Sequence, residues 1–195
     1  MTVVDAPSAR ERLIDTSYDL FTRRGIGGVG VDEVIIKAGV AKATLYRHFP
    51  SKEDLVLAFL DRRAELWTGE VIDRQPRGRA DQPEEQLLAL FDVLDDWFHE
   101  RSDYEACSFV KVLFEVGAKG RIGQACLAHL DKIRDTLRDR AELAGLRDAT
   151  GLAWKLNILL KGSIVCAAEG DRESAHRAKP IAAWLIGEHR SSESR

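Results

Sequence analysis

The sequence predicts an all-α protein. Apolar residues recur at helical spacing along most of the chain, glycines punctuate the ends of those stretches, and long Val/Ile/Thr alternation with hairpin turns is absent. The 195 residues allow one ordinary domain or a small domain joined to a medium one. Hydrophobic residues at 45% and charged residues at 31% suit a packed core and argue against disorder, collagen-like repeats or a disulfide scaffold. A net charge of -3 excludes a protein that coats nucleic acid with an overall basic surface, so any basic patch must be local. Cys107, Cys126 and Cys166 are an odd number without paired spacing, which fits reduced thiols in a cytosol. The N-terminus lacks a basic start followed by an apolar stretch, and no later apolar run approaches the roughly 20 residues needed to span a bilayer. A cytoplasmic location away from membranes is the expectation.

The elements follow in order. Ser8-Ala9-Arg10-Glu11 is a capping box that opens the first helix, and Gly25 stops it. Between them Leu13, Ser17, Leu20 and Phe21, flanked by Ile14 and Tyr18, keep one face apolar. Residues 30–38 form a second short pattern with Val31, Val34 and Ile35 inward, ended by Gly39, which can adopt the left-handed conformation of a sharp turn. Residues 41–48 form a third short helix closed by Phe49-Pro50, and Ser51-Lys52-Glu53-Asp54 starts a fourth with Leu55, Ala58, Phe59 and Leu66 as its inward stripe. Pro76, Gly78 and Pro83 among polar residues make 74–83 the expected loop. Helical stretches then follow at 83–100, 104–116, 122–143 and 148–169, with Gly117, Gly145 and Gly170 at their ends. Pro180 lies within a final pattern at 171–189 and either kinks that helix or begins its main part.

Two short helices separated by a glycine turn match the arrangement that presents a second helix to the major groove of DNA. Local charge agrees: residues 34–52 carry Lys37, Lys42, Arg47, Lys52 and His48 and no carboxylate, while residues 1–65 balance ten basic against ten acidic side chains. Phosphate contact needs outward donors on a rigid element, and Thr44, Tyr46, Arg47 and Lys52 supply them, with His48 at the helix end. Base reading needs side chains at the front of the third helix. There Lys42 can donate to guanine O6 and N7, and Ala43 can touch a thymine methyl. Leu45 and Phe49 should face the other way and lock this helix to the first two.

The run Val31-Asp32-Glu33-Val34, Ala38-Gly39-Val40 and Thr44-Leu45-Tyr46-Arg47-His48-Phe49-Pro50-Ser51-Lys52-Glu53-Asp54-Leu55 resembles the TetR family of transcriptional regulators. The likeness is dense over residues 10–59, and the length and helix count of the remainder also suit the family. It implies a three-helix DNA-binding head at 8–54 and a helical effector-binding and dimerisation domain at 55–190. It further implies a homodimer on a palindromic double-stranded operator, acting as a repressor released by a small molecule. By position it marks Lys42, Ala43 and Val31 as base contacts, and Thr44, Tyr46 and Lys52 as phosphate contacts. Arg47 stands where the family has another surface residue of the third helix. Gly30 and Ala41 depart from the pattern, because a serine or threonine usually caps there. The loss costs up to ~1 kcal/mol at Ala41 and less at Gly30.

In the second half, residues 104–116 are apolar nearly all round and are expected to be buried, with Phe109 and Leu113 among them. Trp67, Phe91, Trp97, Phe98 and Trp154 supply rings that suit a flat or apolar effector, the alternative being ordinary core. Cys126 and His129 stand three apart, a spacing that can hold half of a metal site, but no second ligand pair appears and both fall on an apolar stripe. The pair is therefore read as a satisfied core pair rather than a metal site, and Cys126 also stands with Trp67, Phe91, Phe98, Phe109, Leu113 and Trp154 as a candidate effector contact, without metal or cofactor. The apolar pattern of 148–169 and the residues Ala178, Ala182, Ala183, Trp184 and Leu185 suit a four-helix dimer interface. Effector binding is expected to swing the fourth helix and change the spacing of the two recognition helices. The rival class, an enzyme or carrier on a helical bundle, lacks a Gly-rich phosphate loop, a nucleophile elbow and a paired metal-binding motif.

Overall fold

The computed structural model describes residues 6–100 and 107–190, and the secondary structure among them is helical throughout. In chain order the helices are α1 (Ala9–Arg24), α2 (Val31–Ala38), α3 (Lys42–His48) and α4 (Lys52–Ala64), the last running into a π-helical stretch at Glu65–Arg74. Then come α5 (Gln75–Arg79), α6 (Pro83–Glu100), α7 (Ser108–Val116), α8 (Gly120–Leu143), α9 (Ala149–Ala168) and α10 (Ser174–Glu188). The chain divides into two compact units: one holds the chain up to Ala64 together with Ser108–Leu127, the other Glu65–Cys107 and everything from Ala128.

In the first unit α1 packs against α2, α3 and α4. Its start is fixed as the local pattern requires: Glu11 N–H donates to Ser8 Oγ at 3.2 Å and Ser8 N–H to Glu11 Oε2 at 2.7 Å. Leu13, Leu20 and Phe21 of α1, Val34 of α2, Leu45 of α3 and Leu55 and Phe59 of α4 are buried together. The Phe59 ring meets Phe21 edge-on at 5.5 Å and Tyr18 at 5.8 Å, adding aromatic geometry to plain area burial. Arg63 is also buried, an outcome the apolar pattern does not announce; its guanidinium donates to Tyr18 Oη at 2.7 Å.

The second unit packs α10 against α6 and α9, and α5 against both α6 and the π-helical stretch. Arg140 of α8 is almost fully buried and donates to the carbonyls of Ile72 (3.3 Å) and Asp73 (3.1 Å) and to the Asp73 carboxylate (2.6 Å). It thus ties α8 to the backbone near the end of the π-helical stretch, and the Asp73 carboxylate supports its charge against the cost of burial. Asp148 caps α9 in the left-handed conformation (φ 47°) and accepts from the Gly151 N–H at 3.0 Å.

Five expectations are corrected. Residues 74–83 are not a loop: Pro76 falls in the first turn of α5, which follows directly on the π-helical stretch, and the break shrinks to residues 80–82. Leu66 is exposed rather than inward, because the π-helical winding puts Trp67, Thr68, Val71 and Ile72 on the buried side instead. The 104–116 helix is described from Ser108, its predicted opening lying outside the described residues. It is not buried all round: Phe109 and Val112 are covered, while Phe114 is 84% exposed. Its polar Lys111 and Glu115 reach chain segments of the first unit, and that orientation turns Phe114 outward. α9 is a 20-residue helix with a mean hydropathy of 1.2 in its most apolar window, long and apolar enough by that measure to cross a membrane, contrary to the reading that no run approaches this length. It also carries Lys155 and Lys161 and packs on α10, as a core helix does. Ile35 is only half covered, since the eight-residue α2 buries a narrow face against α1 and α3 and leaves Ile36 beside it exposed. Pro180 sits inside α10, so the helix neither begins nor ends there.

Candidate nucleic-acid interface

The turn into α3 is built by Gly39, whose left-handed conformation (φ 62°) is open to glycine at little cost; its N–H and that of Val40 bond back to the last carbonyls of α2. Neither Gly30 nor Ala41 makes a side-chain cap, so α2 and α3 begin without one. α3 is held by packing instead: Leu45 is fully buried and Phe49 nearly so, with the Arg10 guanidinium over the Phe49 ring at 5.6 Å. The start of α4 is firmer. Asp54 N–H donates to Ser51 Oγ (3.2 Å), Ser51 N–H to Asp54 Oδ2 (3.1 Å), and the Ser51 bonds with the nearby Arg121 guanidinium hold the Asp54 carboxyl below its ordinary range.

With Leu45 inward, Lys42, Ala43, Tyr46 and Arg47 are exposed, while Thr44, His48 and Val31 are half-covered. These are the positions proposed from sequence for DNA contact, and they share the outer side of α3 and the start of α2. Lys42 Nζ lies 3.1 Å from Asp32 Oδ1, and that hydrogen bond raises the Lys42 pKa from its ordinary value. Lys52 is half-covered and donates to the Ile26 carbonyl at 2.6 Å, so one of its three protons is committed within the chain and two remain for a phosphate.

Of the candidate effector contacts, Trp67, Phe91, Phe98 and Trp154 belong to the second unit and Phe109, Leu113 and Cys126 to the first. Trp67, Phe91, Phe98, Phe109 and Cys126 are buried and Leu113 half-buried. Trp67 meets Trp97 at 4.8 Å, and Trp97 meets Phe98 at 6.0 Å, a continuous run of rings in the second unit. Trp154 is 51% exposed, with the Arg134 guanidinium over its ring at 4.1 Å. A separate open groove of about 610 Å³ is lined by Leu88, His176, Arg177, Lys179, Pro180 and Ala183. Sequence reasoning missed that groove; its signal was Pro180, which withholds the N–H that would bond back to His176 one turn earlier. Lys179 is tied to Asp92 at 2.6 Å beside it.

Residues 13–59 match the family described as bacterial regulatory proteins, tetR family. Over 173 residues the chain is 25% identical to the HTH-type transcriptional activator FasR of Mycolicibacterium smegmatis, covering 88% of this chain and 74% of that protein. It is 28% identical over 107 residues to the HTH-type transcriptional repressor NemR of Escherichia coli, covering 55% of this chain and 53% of NemR. A solved TetR-family transcriptional regulator from Streptomyces coelicolor superposes with a TM-score of 0.84 at 26% identity, over 94% of this chain and 96% of that one. The fold is TetR-like, with an N-terminal helix-turn-helix of the kind that binds DNA.

Proposed function

We propose that this TetR-type transcriptional regulator is a ligand-responsive repressor that binds a palindromic operator as a homodimer and is released by a small apolar or aromatic effector in the cytoplasm. The observation that carries the reading is the division of α3, with Leu45 and Phe49 inward and Lys42, Ala43, Tyr46 and Arg47 outward. Residues 8–54 form the head: Lys42 donates to a guanine edge, and Ala43 and Val31 meet base methyl groups. Thr44, Tyr46, Arg47, His48 and Lys52 hold phosphates and fix the register. Residues 55–190 receive the effector, with Trp67, Phe91 and Phe98 as its aromatic surroundings and Phe109, Leu113, Cys126 and Trp154 as further contacts. The exposed Trp154, Ile158 and Val165 of α9 and Ile181 and Trp184 of α10 support the dimer, since two half-sites require two heads. The effector acts through its different affinity for two states that differ in the spacing of the recognition helices. Among the relatives one is a named activator and one a named repressor, and the repressor assignment is the one put to the test.

The experiment is binding of the purified protein to genomic fragments, including the region upstream of its own gene, at stated salt, with Lys42→Ala and Tyr46→Ala beside the wild type. The expected result is specific binding to a palindrome, weakened in each variant by roughly tenfold or more. Transcription from the bound promoter should fall when the protein is present. Absence of specific binding overturns the reading; a rise in transcription overturns repression alone.

A further inference from the structure

The turn between α1 and α2 reads Gly25-Ile26-Gly27-Gly28 and is gripped at several points. Lys52 donates to the Ile26 carbonyl and Arg24 to the Gly28 carbonyl, each at 2.6 Å. The remaining grip comes from far along the chain: the Gly27 N–H donates to Glu115 Oε2 of α7 at 2.8 Å. The Glu115 carboxylate also lies over Gly25, where a Cβ would overlap it, and a Cβ on Gly27 would stand 3.3 Å from Oε2. Gly25 therefore does two things at once: it takes a positive φ of 75° and it leaves the space that Glu115 fills. One turn back on α7, Lys111 Nζ donates to the Thr22 carbonyl at 2.8 Å, in the last turn of α1. A carboxylate on a free N–H and an ammonium on a C-terminal carbonyl are the two charge signs that these backbone groups favour.

The DNA-binding motif ends before residue 60, and nothing in it calls for α7, yet α7 and the start of α8 share one compact unit with it. We propose that Glu115 is a positioning residue for DNA binding. Seated in the glycine turn, it fixes how α1 presents α2 and α3, and Lys111 ties the same helix to the last turn of α1. A head held in one presentation pays less ordering entropy when it docks. The proposal rests on the DNA-binding function proposed above, and the two fail separately: loss of specific binding in the wild type defeats the function before any variant is made.

The test uses full-length Glu115→Ala and Glu115→Gln, titrated against the fragment the wild type selects, with amide hydrogen exchange followed at Gly27. Glu115→Ala should weaken binding by roughly tenfold. The salt dependence should stay unchanged because no phosphate contact is removed, while Gly27 exchange accelerates and the buried core amides stay protected. Glu115→Gln keeps a carbonyl acceptor in the same place and should retain most of the affinity. Wild-type affinity in Glu115→Ala overturns the proposal, as does an equal loss in both variants. A loss accompanied by uniform deprotection of the whole unit overturns it too, since that result would give Glu115 a purely structural part.

Discussion

α3 and the α9–α10 pair expose opposite kinds of surface. On α3 the apolar Leu45 is covered and the outer side is filled by Lys42, Tyr46 and Arg47. On α9 and α10 the outer side carries Trp154, Ile158, Val165, Ile181 and Trp184, each about half exposed or more. A surface of donors on a helix rigidly held from behind suits a polyanion; a surface of rings and branched aliphatics suits another apolar surface. The contrast teaches that each region is incomplete in its own way, and that the missing partner can be told from which residue types are left uncovered.

The largest effect should come from undoing the scaffold behind α3. Phe59→Ala removes a fully buried ring and both of its edge-on contacts, and should cost about 3–5 kcal/mol in urea unfolding. A cost below about 1 kcal/mol would mean that the α1–α4 core is not what holds α3 in place. Next comes the apolar face. Ile158→Glu with Trp184→Glu should raise the dimer dissociation constant at least tenfold in sedimentation at fixed salt. Ile36→Glu, which alters the most exposed aliphatic of the first unit, should leave assembly unchanged. If all three substitutions behave alike, the contrast between the two surfaces is wrong.

The smallest effect concerns pH. The Asp95 carbonyl, and after it the Glu173 carboxylate 3.1 Å away, raise the His99 pKa above its ordinary 6.5. A raised folded-state pKa means that the charged form is the stabilised one. Its contribution is complete below pH 6.5 and is lost as pH climbs through the raised value. His99→Gln should flatten that part of the stability–pH profile measured by thermal unfolding, and an unchanged profile would show that the Glu173 contact carries no charge.

Legibility followed the distance between partners along the chain. The Ser8–Glu11 box, the Ser51–Asp54 pair and the left-handed Gly39 are local, and each could be read before the fold. The outward residues of α3 were legible for the same reason, since seven consecutive positions with one buried leucine determine which side is free. The grips of Lys52 on Ile26, Arg63 on Tyr18 and Glu115 on Gly27 span 26, 45 and 88 residues, and no local pattern encodes them. The π-helical stretch was hidden because a different winding over ten residues leaves no period distinct from an α-helix, and Leu66 was misplaced with it. Pro76 and Gly78 looked like breakers because composition does not reveal that a proline falls in a first turn. Phe114 was misjudged because hydrophobicity reports what a side chain prefers, not how many neighbours the fold can bring to it.

The Asp32–Lys42 contact makes the tip of the recognition helix a parked cation. Both side chains are largely exposed, so solvent screens the pair and its hold on the lysine is weak. On the DNA-binding role proposed above, Lys42 must leave Asp32 before it can donate to a base edge, so approach to the duplex exchanges one exposed carboxylate for the acceptors offered there.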